Sequence, residues 1–113
     1  MVIQGARVYS RNHRFEEKDI IVKGRRIANG ASGETTDTVL DASGLFAIPG
    51  LVDLHLHGAA GYDFCTADSE GLKAIAEYEA MHGVAVICPT TMTLPMKELE
   101  KIAERIAAFQ KDS

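Results

Sequence analysis

The sequence predicts an α/β protein in which a small all-β unit, residues 1–50, precedes the first two βα units of an incomplete (β/α)8 barrel, residues 51–113. Short β-branched runs and polar turns fill the first fifty residues, whereas apolar strands alternate with amphipathic helices after Pro49-Gly50. A closed barrel of eight such units takes about 250 residues. We therefore expect the 113 residues to be the N-terminal part of a longer protein.

The first unit is predicted to consist of short strands joined by tight turns. The β-branched run 19–23 is followed by Gly24, which predicts a hairpin with its turn at that glycine. Two more short strands are expected at 39–41 and 45–48. The small polar segment 30–36 is expected to be a surface loop.

The second unit is predicted to begin with a strand over 51–57, where apolar and polar residues alternate with period two. Asp68 is a candidate N-cap and Gly83 a C-terminal stop, which together bound a helix over 69–82. The apolar run 84–88 then suits a parallel strand covered on both faces, so that Cys88 at its end is expected in the core.

A second helix is predicted to start at Pro95, because a proline in the first turn of a helix loses no intrahelical hydrogen bond. Its apolar residues recur at helical spacing and predict one buried stripe, formed by Leu99, Ile102, Ala103 and Ile106.

The composition excludes several classes of protein. Apolar residues make up 46% and charged residues 25%, which is too apolar for a disordered chain. The net charge of −4 and the absence of a Lys/Arg cluster disfavour a nucleic-acid partner. No apolar run approaches the length needed to span a bilayer, and the N-terminus has no secretory signal, so we expect a cytoplasmic protein without a membrane partner.

The strongest chemical signal is the pair His55 and His57 at the end of the first predicted barrel strand. Residues two apart on a strand share one face, so both imidazoles can converge on one metal ion. Barrel enzymes keep their active sites at this end of the strands. Gly58 follows directly and has no Cβ to crowd an entering ligand.

The sequence around this pair resembles the amidohydrolase superfamily. The resemblance rests on Asp41-Ala42-Ser43-Gly44 and on the stretch 48–57, which ends in His-Leu-His. The segments 57–63 and 89–93 are similar to those of one branch of the superfamily, the deacetylases that act on an acetylated amino-sugar phosphate. The resemblance covers essentially the whole chain and is most specific over 48–95.

This resemblance implies a small β-sandwich before a metal-bearing (β/α)8 barrel, with the His pair ending barrel strand 1. It implies a hydrolase of amino-sugar metabolism that converts a small-molecule substrate, N-acetylglucosamine 6-phosphate, to glucosamine 6-phosphate and acetate. The implied cofactor is a divalent metal, Zn²⁺ or Fe²⁺. In this branch a Glu, two further His ligands and the catalytic Asp come from later strands, so no catalytic residue is expected here and the chain alone is expected to be inactive. Because some members lack the His pair, its retention suggests a second metal position.

Weaker candidates flank the pair, each with a structural alternative. Asp53 shares the strand face with the histidines and either orients a ligand or makes a barrel-floor hydrogen bond. Gly58 and Asp63 belong to the loop that follows, where Asp63 either approaches substrate or caps the loop. Thr90 and Thr91 end the next strand and either contact substrate or satisfy backbone groups.

Two other interpretations stay open at this stage. The chain could be part of another amidohydrolase, such as a cyclic amidase or a deaminase, that uses the same His pair. It could also be a non-catalytic fragment that acts only by association. Whichever interpretation holds, we expect a homo-oligomer or contact with the rest of the polypeptide, because the strand 84–88 has an apolar edge without a partner.

Overall fold

A computed structural model describes residues 1–28 and 38–112. The expected polar loop 30–36 lies outside these residues. The chain forms two compact units, Met1–Pro49 and Gly50–Ser113. The first contains strands, and the second alternates strands with helices, so the predicted α/β class is confirmed.

Within residues 1–28 and 38–49, the first unit is a five-stranded sheet. Its strands are β1 (Val2–Tyr9), β2 (Phe15–Lys23), β3 (Arg26–Ile27), β4 (Val39–Asp41) and β5 (Phe46–Ala47). The order is β3-β2-β1-β4, and β5 also pairs with β1. The antiparallel β2–β3 pair turns at Gly24, whose φ of 57° is left-handed, so the predicted hairpin is confirmed.

The strand β1 runs through Gly5 without ending there. The pairing with β2 shifts between Ile3 and Ala6, and Gly5 takes a φ of 72° at this bulge. The carboxylate of Asp19 accepts a hydrogen bond from the Gly5 amide at 2.9 Å. β4 and β5 both lie parallel to β1, so they extend its pairing rather than forming a hairpin with each other.

The second unit places two parallel strands beside two helices. Its elements are β6 (Leu51–Leu56), β7 (Gly58–Ala59), β8 (Tyr62–Asp63), α1 (Ser69–Met81), β9 (Val84–Pro89) and α2 (Met96–Asp112). β6 pairs with β9 in parallel, while β7 and β8 form a short antiparallel hairpin. None of the helices in the described part of the chain is long and apolar enough to cross a membrane.

The ends of α1 follow the sequence signals. The Asp68 carboxylate accepts a hydrogen bond from the Gly71 amide at 2.9 Å, which satisfies one free N–H of the first turn. Gly83 follows the helix with a φ of 83°, a left-handed conformation that favours glycine. Its carbonyl accepts the Leu51 amide at 2.9 Å, which joins the end of the helix to the start of β6.

The core of the second unit lies between the β6–β9 pair and the two helices. Phe64, Ala67, Leu72 and Ile75 are its buried members. Leu56, Ala59, Ile87, Ile106 and Phe109 pack against them. From the predicted stripe of α2, Ile102 is buried at 4% exposure, whereas Ala103 is exposed.

The prediction that strand 84–88 is covered on both faces is wrong for the described residues. Ile87 packs against the core, but Val86 is 53% exposed and Cys88 is exposed as well. Successive residues of a strand point to opposite faces, and the described helices cover only one of them. On the neighbouring β6, Leu54 is 74% exposed. It shares a strand face with Leu56, which packs against the core, so that face is covered only at the end of β6.

Candidate metal centre

The imidazoles of His55 and His57 converge at the C-terminal end of β6. Their Nε2 atoms lie 3.2 Å apart, and their ring centroids lie 5.0 Å apart at an interplanar angle of 71°. Cα atoms two residues apart on a strand are about 6.5–7 Å apart, so the rings lean toward each other. Both side chains are exposed and open to an incoming ion.

The separation of the two nitrogens fits a shared metal ion. Imidazole nitrogens bind Zn²⁺ at about 2.0–2.1 Å, so two of them in a tetrahedral site lie about 3.3–3.4 Å apart. The observed 3.2 Å is close to that edge. Without a metal, the same distance allows one ring to donate N–H to the other.

Backbone contacts fix the strand end that carries the pair. The Leu56 carbonyl accepts the Thr90 amide at 2.8 Å, which ties the end of β6 to the end of β9. The Asp53 carboxylate accepts the His55 amide at 2.9 Å. Asp53 therefore holds the backbone of a candidate ligand, and no contact between its carboxylate and either ring is observed among the described residues.

The Gly-rich segment after His57 forms the hairpin of β7 and β8, which sequence patterns did not predict. Ala60 and Gly61 form its turn with φ values of 53° and 83°. A Cβ at Gly58 would overlap the carbonyl oxygen of Tyr62 across the hairpin. Glycine is therefore needed at position 58 for the approach of its own backbone, which differs from the expected role of leaving space for a ligand.

Asp63 caps the segment that follows the hairpin. Its carboxylate accepts the Cys65 amide at 2.7 Å, and its carbonyl accepts the amides of Thr66 and Ala67 at 3.0 and 2.8 Å. Among the described residues, these contacts match the structural alternative considered for Asp63.

Thr90 and Thr91 lie at the end of β9, which is joined to β6 by the Thr90 amide. The Thr90 hydroxyl donates to the Cys88 carbonyl at 3.2 Å, so it satisfies a backbone group. Thr91 is half-buried and lines an apolar groove against α2 together with Leu99 and Ile102. The Thr90 amide helps to join β9 to β6, whereas Thr91 faces α2.

The pair is an incomplete metal site on its own. Structural and catalytic zinc sites use three or four protein ligands. Within residues 1–28 and 38–112, no group of three or more His, Cys, Asp or Glu side chains could hold a metal ion. Among the described residues, His55 and His57 can supply two ligands to a metal ion.

The chain is similar in sequence to several known deacetylases. A deacetylase of Lysinibacillus sphaericus, N-acetylglucosamine-6-phosphate deacetylase, is 33% identical over 95 residues, which is 82% of this chain and 24% of that protein. The human protein of the same name is 28% identical over 104 residues, covering 85% of this chain and 25% of that protein. The chain is homologous to the N-terminal quarter of these deacetylases. No protein-family model matches it.

The structural comparison agrees with these deacetylases. The crystal structure of N-acetylglucosamine-6-phosphate deacetylase from Pasteurella multocida superimposes with a TM-score of 0.85 at 19% identity. The match covers 99% of this chain and 31% of that protein. The chain spans about a quarter of the length of the curated relatives that it matches. The resemblance stated from the sequence is confirmed for this N-terminal portion.

The sequence patterns did not predict the contacts of Arg105. Arg105 of α2 is half-buried, and its Nη2 donates to the carbonyls of Phe64 and Cys65 at 3.0 Å each. The available signal was its position, three residues after Ile102 and four before Phe109, on the apolar face of the helix. A charged residue in such a stripe requires a buried partner.

Proposed function

We propose that this chain is the N-terminal portion of a metal-dependent N-acetylglucosamine-6-phosphate deacetylase in which His55 and His57 hold one divalent ion, Zn²⁺ or Fe²⁺. The observation that carries the proposal is the 3.2 Å separation of their Nε2 atoms at the end of β6. The names of the relatives support the reaction, since they share 28–33% identity across most of this chain.

The residues of this chain would hold and orient the ion. His55 and His57 supply two nitrogen donors, Asp53 holds the His55 amide, and the β7–β8 hairpin follows His57 directly. A divalent ion bound there would supply a Lewis acid that could polarise the acetamide carbonyl and lower the pKa of a bound water. We assign no catalytic acid or base to this chain.

The proposal extends to the parts that the chain does not contain. Unit Gly50–Ser113 would start a (β/α)8 barrel, because its two parallel strands leave apolar residues such as Leu54 and Val86 exposed. Later strands and helices would cover these residues, and later strands would add the missing ligands. The whole protein would act in the cytoplasm as a homo-oligomer on a small-molecule substrate.

The test joins this chain to the rest of a relative. A chimera would carry residues 1–113 in place of the matching N-terminal quarter of the Lysinibacillus sphaericus deacetylase. We expect it to release glucosamine 6-phosphate from N-acetylglucosamine 6-phosphate. The double variant His55→Ala/His57→Ala should lose about one metal ion per chain by elemental analysis.

The matched control is His82→Ala, which removes an imidazole that contacts the Tyr78 carbonyl at the end of α1. This variant should keep its metal content. A chimera with no deacetylase activity would contradict the proposed reaction. Equal metal content in the double variant and the unsubstituted chimera would contradict the role of the pair.

A further inference from the structure

Arg105 links α2 to the segment that follows the β7–β8 hairpin. Its Nη2 donates to the Phe64 and Cys65 carbonyls at 3.0 Å each, although these residues lie about forty positions earlier in the chain. Its Nε is buried and has no hydrogen-bond partner among the described residues. The guanidinium is therefore partly withdrawn from water, and its two hydrogen bonds to carbonyls offset part of that cost.

The segment held by Arg105 also holds His57. The Phe64 amide donates to the His57 carbonyl at 2.9 Å, and the Phe64 side chain is 2% exposed. The preceding Leu56 carbonyl accepts the Thr90 amide at 2.8 Å. The backbone is thus anchored on each side of the His57 Cα. These two contacts set the direction of the His57 Cα–Cβ bond.

The same segment is tied down at Cys65. The Cys65 amide donates to the Asp63 carboxylate at 2.7 Å, and its Sγ accepts the Met92 amide at 3.3 Å. These contacts involve the segment itself and the residues after β9. Arg105 adds the contact to α2, which is anchored in the core through Ile102.

Arginine suits this position for a chemical reason. A guanidinium carries several donors in a rigid plane, so one side chain can hold two adjacent carbonyls, whereas lysine acts as a flexible point charge. Its charge also strengthens both hydrogen bonds. On the same helix Lys101 is exposed, so its substitution removes a positive charge without removing a buried contact.

We propose that Arg105 is a positioning residue that holds the His57 imidazole beside His55 by fixing the Phe64–Cys65 backbone. The consequence for metal binding rests on the proposed function, whereas the effect on the rings does not. Groups that hydrogen-bond directly to a metal ligand typically change metal affinity by about 10–100-fold, and because Arg105 acts through one further contact we expect the lower end of that range.

The first experiment needs no metal. Histidine-labelled 113-residue chain is studied by NMR as the unsubstituted protein, as Arg105→Met and as the control Lys101→Met. We expect a nuclear Overhauser contact between the two rings in the unsubstituted chain and in K101M, and its loss in R105M. Amide exchange in α1 reports whether the fold is retained. Should R105M fail to fold, R105K decides, and it should weaken the ring contact.

The second experiment adds Zn²⁺ alone to the same samples. The dissociation constant at the His pair should rise about tenfold or more in R105M and stay unchanged in K101M. An undiminished ring contact in a folded R105M, or in R105K when R105M is unfolded, overturns the proposal for Arg105 even if zinc binds. A ring contact that depends on Arg105 in a chain that does not respond to zinc supports Arg105 and contradicts the metal site.

Discussion

The Oδ1 atom of Asp53 lies 2.9 Å from the backbone nitrogen of His55, so a carboxylate holds the amide of the first candidate ligand. The pairing of β6 with β9 is irregular between Asp53 and Leu56, where this side chain takes a place in the hydrogen bonding of the strand. The end of β6 is therefore held by a side chain as well as by its neighbour.

Removing the Asp53 acceptor should weaken metal binding by the pair. Asp53→Ala leaves the His55 amide without its partner, at a cost of about 1 kcal/mol. Asp53→Asn keeps a side-chain oxygen and serves as the matched control. We expect zinc titrations followed by NMR to show a several-fold weaker affinity for D53A than for D53N. Equal affinities in D53A and the unsubstituted chain would mean that this contact does not orient His55.

Adding one methyl group at Gly58 should disturb the hairpin. The new Cβ of Gly58→Ala would overlap the Tyr62 carbonyl, so we expect a loss of about 1–3 kcal/mol in the stability of the second unit. Gly61→Ala is the matched control, because its Cβ meets nothing within 4 Å and only the φ of 83° is unfavourable. Urea unfolding should rank G58A below G61A, and the opposite order would contradict the close approach.

The pKa of Asp41 is held below its ordinary value by the side chain and then the backbone N–H of Ser43. A lowered pKa contributes stability that is fully present above the ordinary value and is lost as the pH falls through the lowered one. Ser43→Ala should raise the pKa of Asp41 toward its ordinary value, whereas Ser10→Ala should not. An NMR titration of the Asp41 carboxyl checks this, and an identical midpoint in S43A would rule out the assigned cause.

The exposed strand β9 should drive self-association of the isolated chain. Within the described residues it pairs only with β6, and its Val86 is 53% exposed. Val86→Lys should lower the association seen by sedimentation over a range of concentrations, because charge opposes edge pairing. Met81→Lys, on an exposed residue of α1, should leave it unchanged. A monomer of 12.2 kDa at every concentration would contradict this expectation.

The isolated 113-residue chain should not hydrolyse N-acetylglucosamine 6-phosphate. Two histidines are fewer than the three protein ligands of a catalytic zinc site, and the chain supplies no assigned base for proton transfer. The assay measures release of glucosamine 6-phosphate by zinc-loaded chain, with the chimera as the positive control. Steady turnover that disappears in His55→Ala would show that the chain contains a complete site.

The sequence predicted the elements that depend on interactions between neighbouring residues. The Asp68 cap, the Gly83 stop and the period-two spacing of His55 and His57 each act within a few residues, and the structure has the helix and the strand that they predict. Contacts between distant residues were not predictable in this way. Arg105 meets Cys65 forty positions earlier, and the exposure of Cys88 depends on which faces other elements cover.

A zinc titration of the 113-residue chain tests directly whether His55 and His57 hold one metal ion. The four histidines are His13, His55, His57 and His82, and each gives its own ring signals in an NMR spectrum. We expect the signals of His55 and His57 to shift together along one binding curve, while those of His13 and His82 stay unchanged. Because the chain supplies only two ligands, the binding should be weak. Separate curves for the two rings, or no response from either even in large zinc excess, would contradict the claim that they hold one ion.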